Sequence, residues 1–409
     1  MPLPRRARLL PITLSLGLTA GLLAGCAAEP AAAPSGATQA EVLEIAEQLF
    51  VDAKMQAAVG QVIEDGTVVA EFALGEAITG EPATLDARWR NGAVAIGYLG
   101  IALLRLHERG VLDMDAPIAP YLPDFPDADS LTPRQLITMT SGIPDFVPNP
   151  EFQASFYENP FRGWTPDELL AFATSQPRVF APGENWDYSH AGIVVLGLVM
   201  QEATGAPLAE ILQAEVLDPL ELTDTVADQS PRIPKPYLHG FTAERGVYED
   251  ATFWNPSWTL AEGSVQTTTV GDAARSFDAV IGRGELLSEA SHAELISQDL
   301  VGFGAPLEDC RTCHTLEASA AYGIGVFLRG DTVAQTPLFG GFAGSVVTLP
   351  AARSTDGSSL TVAVAGTLRR DALADWSGRI PNRADDIAIA IMQQLRPDAN
   401  VPDTRNPRP

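Results

Sequence analysis

Residues 93–104 contain no charged side chain, and this segment constrains the fold of the chain more than any other. A helix there is apolar on every side, so other elements must surround it. The segment ends as helices commonly do, with His107 and Arg109 in the last turn and Gly110 just beyond it. A chain of 409 residues, 46% of them apolar, has enough material to bury this helix in one large domain or two smaller ones.

Segments with strand and helix patterns lie on both sides of this helix. Residues 57–63 and 68–73 are strand-like and are joined by Asp65-Gly66, a strong hairpin signal, and residues 345–349 and 360–367 are rich in β-branched side chains. Helices are predicted at residues 41–53, 191–203, 209–216 and 383–395, with two short ones after the capping sequences at Thr132 and Thr165. Because strands come from both chain ends and helices from the middle, the pattern predicts an α+β fold, an antiparallel sheet flanked by helices with a mainly helical subregion.

The amino terminus has the pattern of an export signal. Arginines 5, 6 and 8 precede an uncharged run over residues 9–28, and residues 23–26 read Leu-Ala-Gly-Cys. These four residues resemble the lipobox of bacterial lipoproteins, which implies a lipid on Cys26; an ordinary signal peptide or a spanning helix is the alternative. We expect a signal peptide over 1–25, an Ala/Pro-rich tether over 26–40, a domain over 41–396 and a flexible tail over 397–409.

The charge balance favours an exported protein as well. Asp and Glu number 52 against 26 Lys and Arg, which gives a formal charge of −26, and Lys54 and Lys235 are the only lysines. A nucleic-acid-binding protein needs basic clusters to neutralise backbone phosphates, so we expect no nucleic-acid partner. With the leader, the acidic composition predicts an extracytoplasmic protein of a bacterial cell envelope, held at the membrane by the lipid on Cys26.

Two further cysteines, Cys310 and Cys313, occur in the sequence Cys-Arg-Thr-Cys-His. In an oxidising compartment they most simply form a local disulfide. The same pattern is the attachment sequence of a c-type haem, with His314 as axial ligand, but neither an apolar crevice nor a second ligand is evident near it. A zinc site lacks an obvious fourth ligand, and a thioredoxin-like motif lacks its βαβ context. We expect the disulfide, no cofactor and no metal, with the haem as an alternative.

Six further segments, taken together and in order, resemble the serine β-lactamase and penicillin-binding DD-peptidase superfamily, in particular its class C β-lactamase and esterase branch. They are residues 89–92 (Trp-Arg-Asn-Gly), 110–117 (Gly-Val-Leu-Asp-Met-Asp-Ala-Pro), 140–145 (Thr-Ser-Gly-Ile-Pro-Asp), 180–183 (Phe-Ala-Pro-Gly), 188–190 (Tyr-Ser-His) and 217–222 (Leu-Asp-Pro-Leu-Glu-Leu). The resemblance covers roughly residues 41–395. It implies the β-lactamase/transpeptidase-like fold, in which a Ser-X-X-Lys motif opens the buried helix.

The two catalytic positions of that motif hold Ala93 and Ile96 in this chain. The resemblance implies a Ser that attacks a carbonyl and a Lys, three residues on and on the same helical face, that takes its proton. A methyl group has no lone pair for the attack, and an isoleucine accepts no proton. A shifted alignment does not restore the motif, because no Ser occurs within residues 36–129 and no Lys within residues 55–234.

The two other motifs of the superfamily are partly kept. Tyr188 matches its acid/base or relay Tyr, but His190 replaces an Asn that holds the substrate amide, and a His lacks the amide's paired donor and acceptor. Phe339-Gly340-Gly341 matches the third motif, with an aromatic residue where a cationic or hydrogen-bonding one is usual. We expect Tyr188, His190, Gly340 and Gly341 to line a ligand cleft, with a ligand backbone close to the glycines of an edge strand.

These observations give one main hypothesis and two alternatives. The main hypothesis is a lipid-anchored, β-lactamase-related protein that lacks serine-hydrolase catalysis and binds a cell-wall peptide, a lipid or a partner protein in the old substrate cleft. The first alternative is a hydrolase of esterase, peptidase or β-lactamase type with a different nucleophile, Ser141, Ser189 or Ser345, and with Tyr188 or His190 as base. The second alternative is the c-type haem protein.

Overall fold

A computed structural model describes residues 36–227, 230–310, 312–373 and 381–403. The predicted signal peptide, Cys26 and most of the predicted tether lie outside these ranges. The helices are α1 (Gly36–Asp52), α2 (Val94–Glu108), α3 (Pro133–Ile137), α4 (Pro150–Glu158), α5 (Pro166–Thr174), α6 (His190–Thr204), α7 (Leu208–Leu212), α8 (Val270–Phe277), α9 (Glu289–Leu295), α10 (Arg370–Leu373) and α11 (Arg383–Leu395). The strands are β1 (Met55–Glu64), β2 (Thr67–Ile78), β3 (Glu81–Pro82), β4 (Trp89–Arg90), β5 (Phe241–Thr242), β6 (Glu249–Asp250), β7 (Thr267–Thr268), β8 (Ala321–Tyr322), β9 (Phe327–Arg329), β10 (Thr332–Gln335), β11 (Leu338–Phe339), β12 (Phe342–Leu349) and β13 (Leu360–Leu368).

The main sheet has nine strands among the described residues, and its pairs are antiparallel. Its order is β3-β2-β1-β13-β12-β10-β9-β8, with β11 paired to β12 outside this path. Strands β1 and β13 are neighbours, with a register from Met55 opposite Leu368 to Glu64 opposite Leu360. Strands from the two ends of the chain therefore meet in the middle of the sheet, which confirms the predicted antiparallel α+β architecture.

The two faces of the sheet bury different helices. Side chains alternate along β1, so that Val59 and Ile63 belong to one core and Ala58 and Val62 to the other. Helices α1 and α11 cover the face of Ala58 and Val62, whereas α8 and the helical subregion cover the opposite face. Asp65 and Gly66 both have positive φ, +45° and +79°, as the predicted tight β1–β2 hairpin requires.

Helix α2 lies inside the larger core, as its uncharged sequence predicts. Tyr98 is fully buried and its hydroxyl lies 2.9 Å from the Ser276 hydroxyl of α8. At Gly100 the helix approaches the neighbouring chain so closely that a Cβ would lie 2.5 Å from the carbonyl oxygen of Ile324. These two contacts hold the first turn of α2 at a fixed position between α8 and the segment before β9. This turn, residues 93–96, is called the mouth of α2.

Two predicted boundaries differ from the structure. Helix α1 begins at Gly36, inside the predicted tether, because the Gln39 side chain forms a pair of hydrogen bonds with the backbone of Glu71 (2.8 and 3.0 Å) that ties the first turn to β2. The predicted flexible tail is docked as far as it is described. Asn400 exchanges backbone and side-chain hydrogen bonds with Asp331 (2.9 and 2.6 Å), and Val401 is buried.

No single helix within the described ranges has both the length and the hydropathy needed to cross a membrane. The helices His190–Thr204 and Leu208–Leu217 satisfy these criteria only when they are joined, and the pair is bent by 80°.

Candidate functional site

The mouth of α2 carries the two positions where the sequence lacks the expected catalytic residues. Ala93 is the N-cap residue, is partly buried, and offers no side-chain acceptor to the helix. Ile96 is fully buried one turn on. The backbone N–H of Ala93 has no hydrogen-bond acceptor among the described residues. The mouth therefore presents a methyl group and one N–H, with no attacking atom.

Asn91 and Gly92 fix the backbone that leads into this mouth. The Asn91 side chain accepts a hydrogen bond from the Gln266 N–H (3.0 Å), and the Asn91 N–H donates to the Gln266 carbonyl (3.1 Å). Gly92 has φ +47°, and a Cβ there would lie 2.9 Å from Cβ of Pro337 and 3.0 Å from Cβ of Phe339. The third motif therefore lies against the mouth of α2.

Phe339, Gly340 and Gly341 of the third motif pack against other segments of the chain. The Phe339 ring is buried and is stacked on Trp258, with centroids 5.2 Å apart. Gly340 and Gly341 form the turn between β11 and β12, with φ +52° and +80°, and do not lie in the edge strand that the sequence predicted. A Cβ on Gly341 would lie 2.5 Å from the carbonyl carbon of Gly240. The close backbone approach that these glycines allow is made by the chain itself, and a ligand contact there stays a prediction.

The segments of residues 139–142 and 179–190 are packed together and form the wall of the site that carries Tyr188 and His190. The Val179 and Gly183 N–H groups donate to the carbonyls of Gly142 (3.0 Å) and Thr140 (2.8 Å). Gly142 has φ +71°, and a Cβ there would lie 2.1 Å from the Phe180 carbonyl oxygen. Two segments that the sequence placed in separate motifs therefore form one unit.

Tyr188 projects from this unit among aromatic rings. Its ring is parallel to Phe327 (6.3 Å between centroids) and edge-on to Tyr322 (6.1 Å). Gly325, two residues before Phe327, packs so tightly on α2 that a Cβ would lie 2.5 Å from the Ile96 carbonyl oxygen, which connects Tyr188 to the mouth of α2. Burial, and then the negative charge of Asp145, raise the pKa of the Tyr188 hydroxyl. No described residue forms a hydrogen bond with that hydroxyl, and the raised pKa keeps it protonated at neutral pH.

His190, the first residue of α6, is hydrogen-bonded to Asp145. Its Nδ1 lies 3.0 and 3.2 Å from the two Asp145 carboxylate oxygens, and its backbone N–H donates to the same carboxylate (3.2 Å). The Tyr188 and His190 rings are edge-on at 5.2 Å. The sequence motifs did not identify Asp145 as the partner of His190. Asp145 is the last residue of the motif at residues 140–145, so its place in that motif was the signal that could have indicated it.

The three candidate serines have structural roles. Ser141 is 1% exposed and its hydroxyl accepts a weak bond from the Ile143 N–H. Ser189 is the N-cap of α6, with its hydroxyl 3.1 Å from the Gly192 N–H. Ser345 is fully buried and donates to Asp385 (2.8 Å). None of the three hydroxyls is hydrogen-bonded to a histidine or a tyrosine in the described structure, so the geometry does not favour a substitute nucleophile.

Cys310 and Cys313 form a disulfide bond in a loop beside this wall. Both cysteines are buried against Phe180. The Thr312 hydroxyl donates to the Asp187 carboxylate, and His314 lies edge-on to Trp186 at 5.2 Å. Because both sulfurs are in the disulfide, neither forms the thioether that a c-type haem needs.

Two groups of side chains have the composition of metal ligands. Asp187, Cys310 and Cys313 place their ligand atoms within 4.8 Å of one another, and so do His107, Asp113 and Asp115. In the second group, Arg134 neutralises Asp115 and lowers its pKa through a hydrogen-bonded ion pair. Burial raises the pKa of Asp187, and the Thr312 hydrogen bond partly offsets that shift.

Comparison with known proteins supports a single superfamily. The family model described as Beta-lactamase matches residues 44–405. The esterase EstB of Burkholderia gladioli is 33% identical over 48% of this chain and 54% of its own length. A putative penicillin-binding protein, PbpX of Bacillus subtilis, is 29% identical over 32% of this chain and 31% of its own. The matched part thus spans about half or less of these relatives.

Solved structures agree on the fold. A D-stereospecific amidohydrolase from a Streptomyces species superposes with a TM-score of 0.66 at 24% identity, over 85% of this chain and all of its own. The D-amino acid amidase of Ochrobactrum anthropi, complexed with L-phenylalanine amide, gives 0.69 at 18% identity, over 88% and 99%. At these identities the match concerns the fold alone.

Proposed function

This chain belongs to the Beta-lactamase family, and we propose that it is a family member that binds a ligand in the cell envelope and does not perform acyl transfer. The observation that carries the proposal is the mouth of α2, where Ala93 and the fully buried Ile96 occupy the nucleophile and base positions. The cleft around them keeps polar groups able to hold a ligand.

The expected loss of turnover distinguishes a slow enzyme from a binding protein. Removing the nucleophile of a serine hydrolase costs about a million-fold in turnover and leaves roughly a thousand-fold acceleration from the oxyanion hole and binding. Here the first-motif base is also missing, and Phe339 replaces the polar side chain of the third motif. Turnover by this route would be far below that of a working hydrolase.

Three groups around the cleft support binding. The Ala93 N–H and the Tyr188 hydroxyl are donors without an acceptor among the described residues, and His190, whose ring is edge-on to Tyr188, is hydrogen-bonded to Asp145. Donors of this kind suit a carbonyl or carboxylate, so we propose a cell-wall peptide as the ligand. Names of relatives point the same way, since they include a putative penicillin-binding protein and an N-acetylmuramyl-L-alanine amidase. A lipid or a partner protein is the alternative.

We also propose that the protein is exported and lipid-anchored through Cys26. The leader carries its arginines, its apolar run and the Leu-Ala-Gly-Cys sequence in the order that lipoprotein processing needs. Growth with an alkyne-labelled fatty acid should label the wild-type protein in the membrane fraction. The variant Cys26→Ser should be unlabelled, and a labelled Cys26→Ser protein would contradict the anchor.

The test of this function distinguishes covalent labelling or turnover of a substrate from binding of a muropeptide alone. The soluble form is incubated with a fluorescent penicillin, a chromogenic cephalosporin and a short-chain nitrophenyl ester, and is titrated calorimetrically with muropeptides. We expect no covalent label, no turnover above a heat-inactivated control, and saturable muropeptide binding that Tyr188→Phe weakens. The matched control is Tyr98→Phe, which removes a hydroxyl that is fully buried and already bonded to Ser276 of α8. Covalent labelling or clear turnover would overturn the proposal, and so would equal binding by the two variants.

A further inference from the structure

The loop of residues 303–316 is fastened to the wall that carries Tyr188. The Asn185 side chain donates to the Ala305 carbonyl and accepts from the Ala305 N–H, both at 2.9 Å. His314 lies edge-on to Trp186, and the Thr312 hydroxyl donates to Asp187. Three successive residues of the wall thus each contact the loop, immediately before Tyr188.

The disulfide of this loop lies next to a buried carboxylate. Asp187 is 9% exposed, Cys310 9% and Cys313 6%, and the two sulfurs and an Asp187 oxygen lie within 4.8 Å of one another. A Cys-X-X-Cys pair is the spacing by which proteins commonly offer two thiolates to one zinc ion, and carboxylate oxygen is a third accepted ligand. The sequence alone does not indicate Asp187 as a ligand, because it lies more than a hundred residues from the cysteines along the chain.

We propose that reduction of the Cys310–Cys313 disulfide opens a redox-gated site for a divalent metal ion such as Zn²⁺, held by two thiolates and the Asp187 carboxylate. Three protein ligands leave one position of a tetrahedral ion for water or for a donor atom of a ligand. The site is independent of the function proposed above, since it requires neither a muropeptide nor turnover.

The redox step needs a dithiol reductant of the cell envelope. The reductant gives two electrons and two protons to the disulfide, becomes a disulfide itself, and leaves Cys310 and Cys313 as thiols. The metal ion then displaces one proton from each thiol and binds the two thiolates. In the oxidised protein the sulfurs are bonded to each other and carry no negative charge, so the disulfide and the metal site exclude one another.

Asp187 has a different partner in each state. In the oxidised protein its carboxylate accepts the Thr312 hydroxyl hydrogen bond. In the reduced, metal-bound protein the same carboxylate is a ligand, so the loop stays tied to the wall through the ion. Because Asp187 directly precedes Tyr188, the state of the cysteines is coupled to the placement of the Tyr188 backbone.

The test is a cobalt titration of the oxidised and the reduced protein. The intact soluble protein is reduced with a dithiol, desalted under anaerobic conditions, and titrated with Co²⁺ and then with Zn²⁺. We expect a thiolate-to-cobalt charge-transfer band that saturates at one equivalent in the reduced protein and is displaced by Zn²⁺. The oxidised protein and the double variant Cys310→Ser/Cys313→Ser should show none. A reduced wild-type protein without this band would overturn the proposal.

The role of Asp187 needs a matched pair of variants. Asp187→Asn keeps the shape of the side chain and a hydrogen-bond acceptor but removes the charged ligand, whereas Asp309→Asn removes an exposed carboxylate from the same loop. Loss of an outer partner of a metal ligand already costs roughly 10- to 100-fold in affinity, so Asp187→Asn should lose at least about tenfold and Asp309→Asn nothing. Equal affinities would overturn the assignment. X-ray absorption of the zinc form provides a second measurement: two sulfur scatterers with oxygen support the site, and four sulfurs contradict it.

Discussion

The mouth of α2 and the wall that carries Tyr188 differ in the kind of side chain that they hold. At the mouth, the positions of a nucleophile and its base hold Ala93 and Ile96, and neighbouring Phe339 is stacked on Trp258. On the wall, Tyr188 keeps a hydroxyl without a described partner, and His190 is paired with Asp145. The mouth is packed with apolar groups, whereas the wall carries titratable side chains.

This difference separates two ways in which side chains are accommodated around a site. The apolar side chains at the mouth need no partner, because Ile96 and Phe339 are buried in a close-packed core. The titratable groups on the wall have hydrogen-bond partners, as His190 has in Asp145 and Asp187 has in Thr312, since a buried polar group without a partner is costly. The wall therefore keeps hydrogen-bonding side chains, whereas Ala93 and Ile96 at the mouth have none.

The largest effect is expected from an attempt to rebuild the mouth with Ala93→Ser and Ile96→Lys. Ile96 is fully buried, and an uncompensated charge there should cost about 3–5 kcal/mol in the free energy of unfolding. Ala93→Ser alone, at a partly buried position, is the control and should change stability little. Urea unfolding measures both variants.

The same double variant also tests the chemistry of the wall. Because His190 and Phe339 remain, we expect it to stay far below β-lactamase rates even where it is folded. If a folded double variant hydrolysed a cephalosporin rapidly, the unchanged His190 and Phe339 would not limit catalysis, and the comparison of mouth and wall would be wrong.

A smaller effect is expected at the point where the mouth meets the third motif. Gly92→Ala places a Cβ 2.9 Å from Pro337 and 3.0 Å from Phe339 at positive φ. Gly80→Ala, also at positive φ but with nothing within 4 Å, isolates the backbone strain. Overpacking costs about 1–3 kcal/mol, so Gly92→Ala should be the less stable variant by that amount. Equal thermal stability of the two would mean that the third motif is not packed against the mouth.

On the wall, Asp187→Asn should make stability less dependent on pH. Burial raises the pKa of Asp187 in the folded state, so the folded protein holds this proton more tightly than the unfolded chain. Stability contributed by the protonated form is lost as the pH rises from the unfolded value of about 3.9 through the raised folded value. In oxidised protein, Asp187→Asn should therefore be more stable than wild type near neutral pH, and the gain should shrink in acid. Asp309→Asn is the control, and a gain independent of pH would contradict the assignment.

The smallest change in stability is expected from Tyr188→Phe. Its hydroxyl forms no bond within the described structure, so the free energy of unfolding should stay within about 0.5 kcal/mol of wild type. Tyr98→Phe removes a buried hydrogen bond to Ser276 and should lose about 1 kcal/mol. Chemical denaturation measures the free energy of unfolding of both variants. If Tyr188→Phe were as unstable as Tyr98→Phe, the Tyr188 hydroxyl would contribute to the stability of the fold.

Local patterns predicted much of the fold. The capping boxes at Thr132 and Thr165 are formed, and the last helix runs from Arg383 to Leu395, as the sequence indicates. Short-range rules suffice there, because a cap or an amphipathic helix is decided by residues within one or two turns. The start of α1 was missed because Gln39 is held by β2, 32 residues away.

The site was only partly predictable for the same reason. Tyr188, His190 and the altered mouth were identified from their motifs. Asp145 as the partner of His190, and Asp187 beside the disulfide, depend on contacts between segments that are distant along the chain.

The sequence by itself determined which atoms are present at the mouth of α2, and hence that no hydroxyl or amine stands at its first turn, because the identity of a side chain does not depend on folding. Only the tertiary structure decided what surrounds those atoms. It packed the Gly340-Gly341 turn against Gly240 and placed the Asp187 carboxylate beside two sulfurs. Distances between segments far apart in sequence are set by how the sheet and helices pack, and no local pattern encodes them.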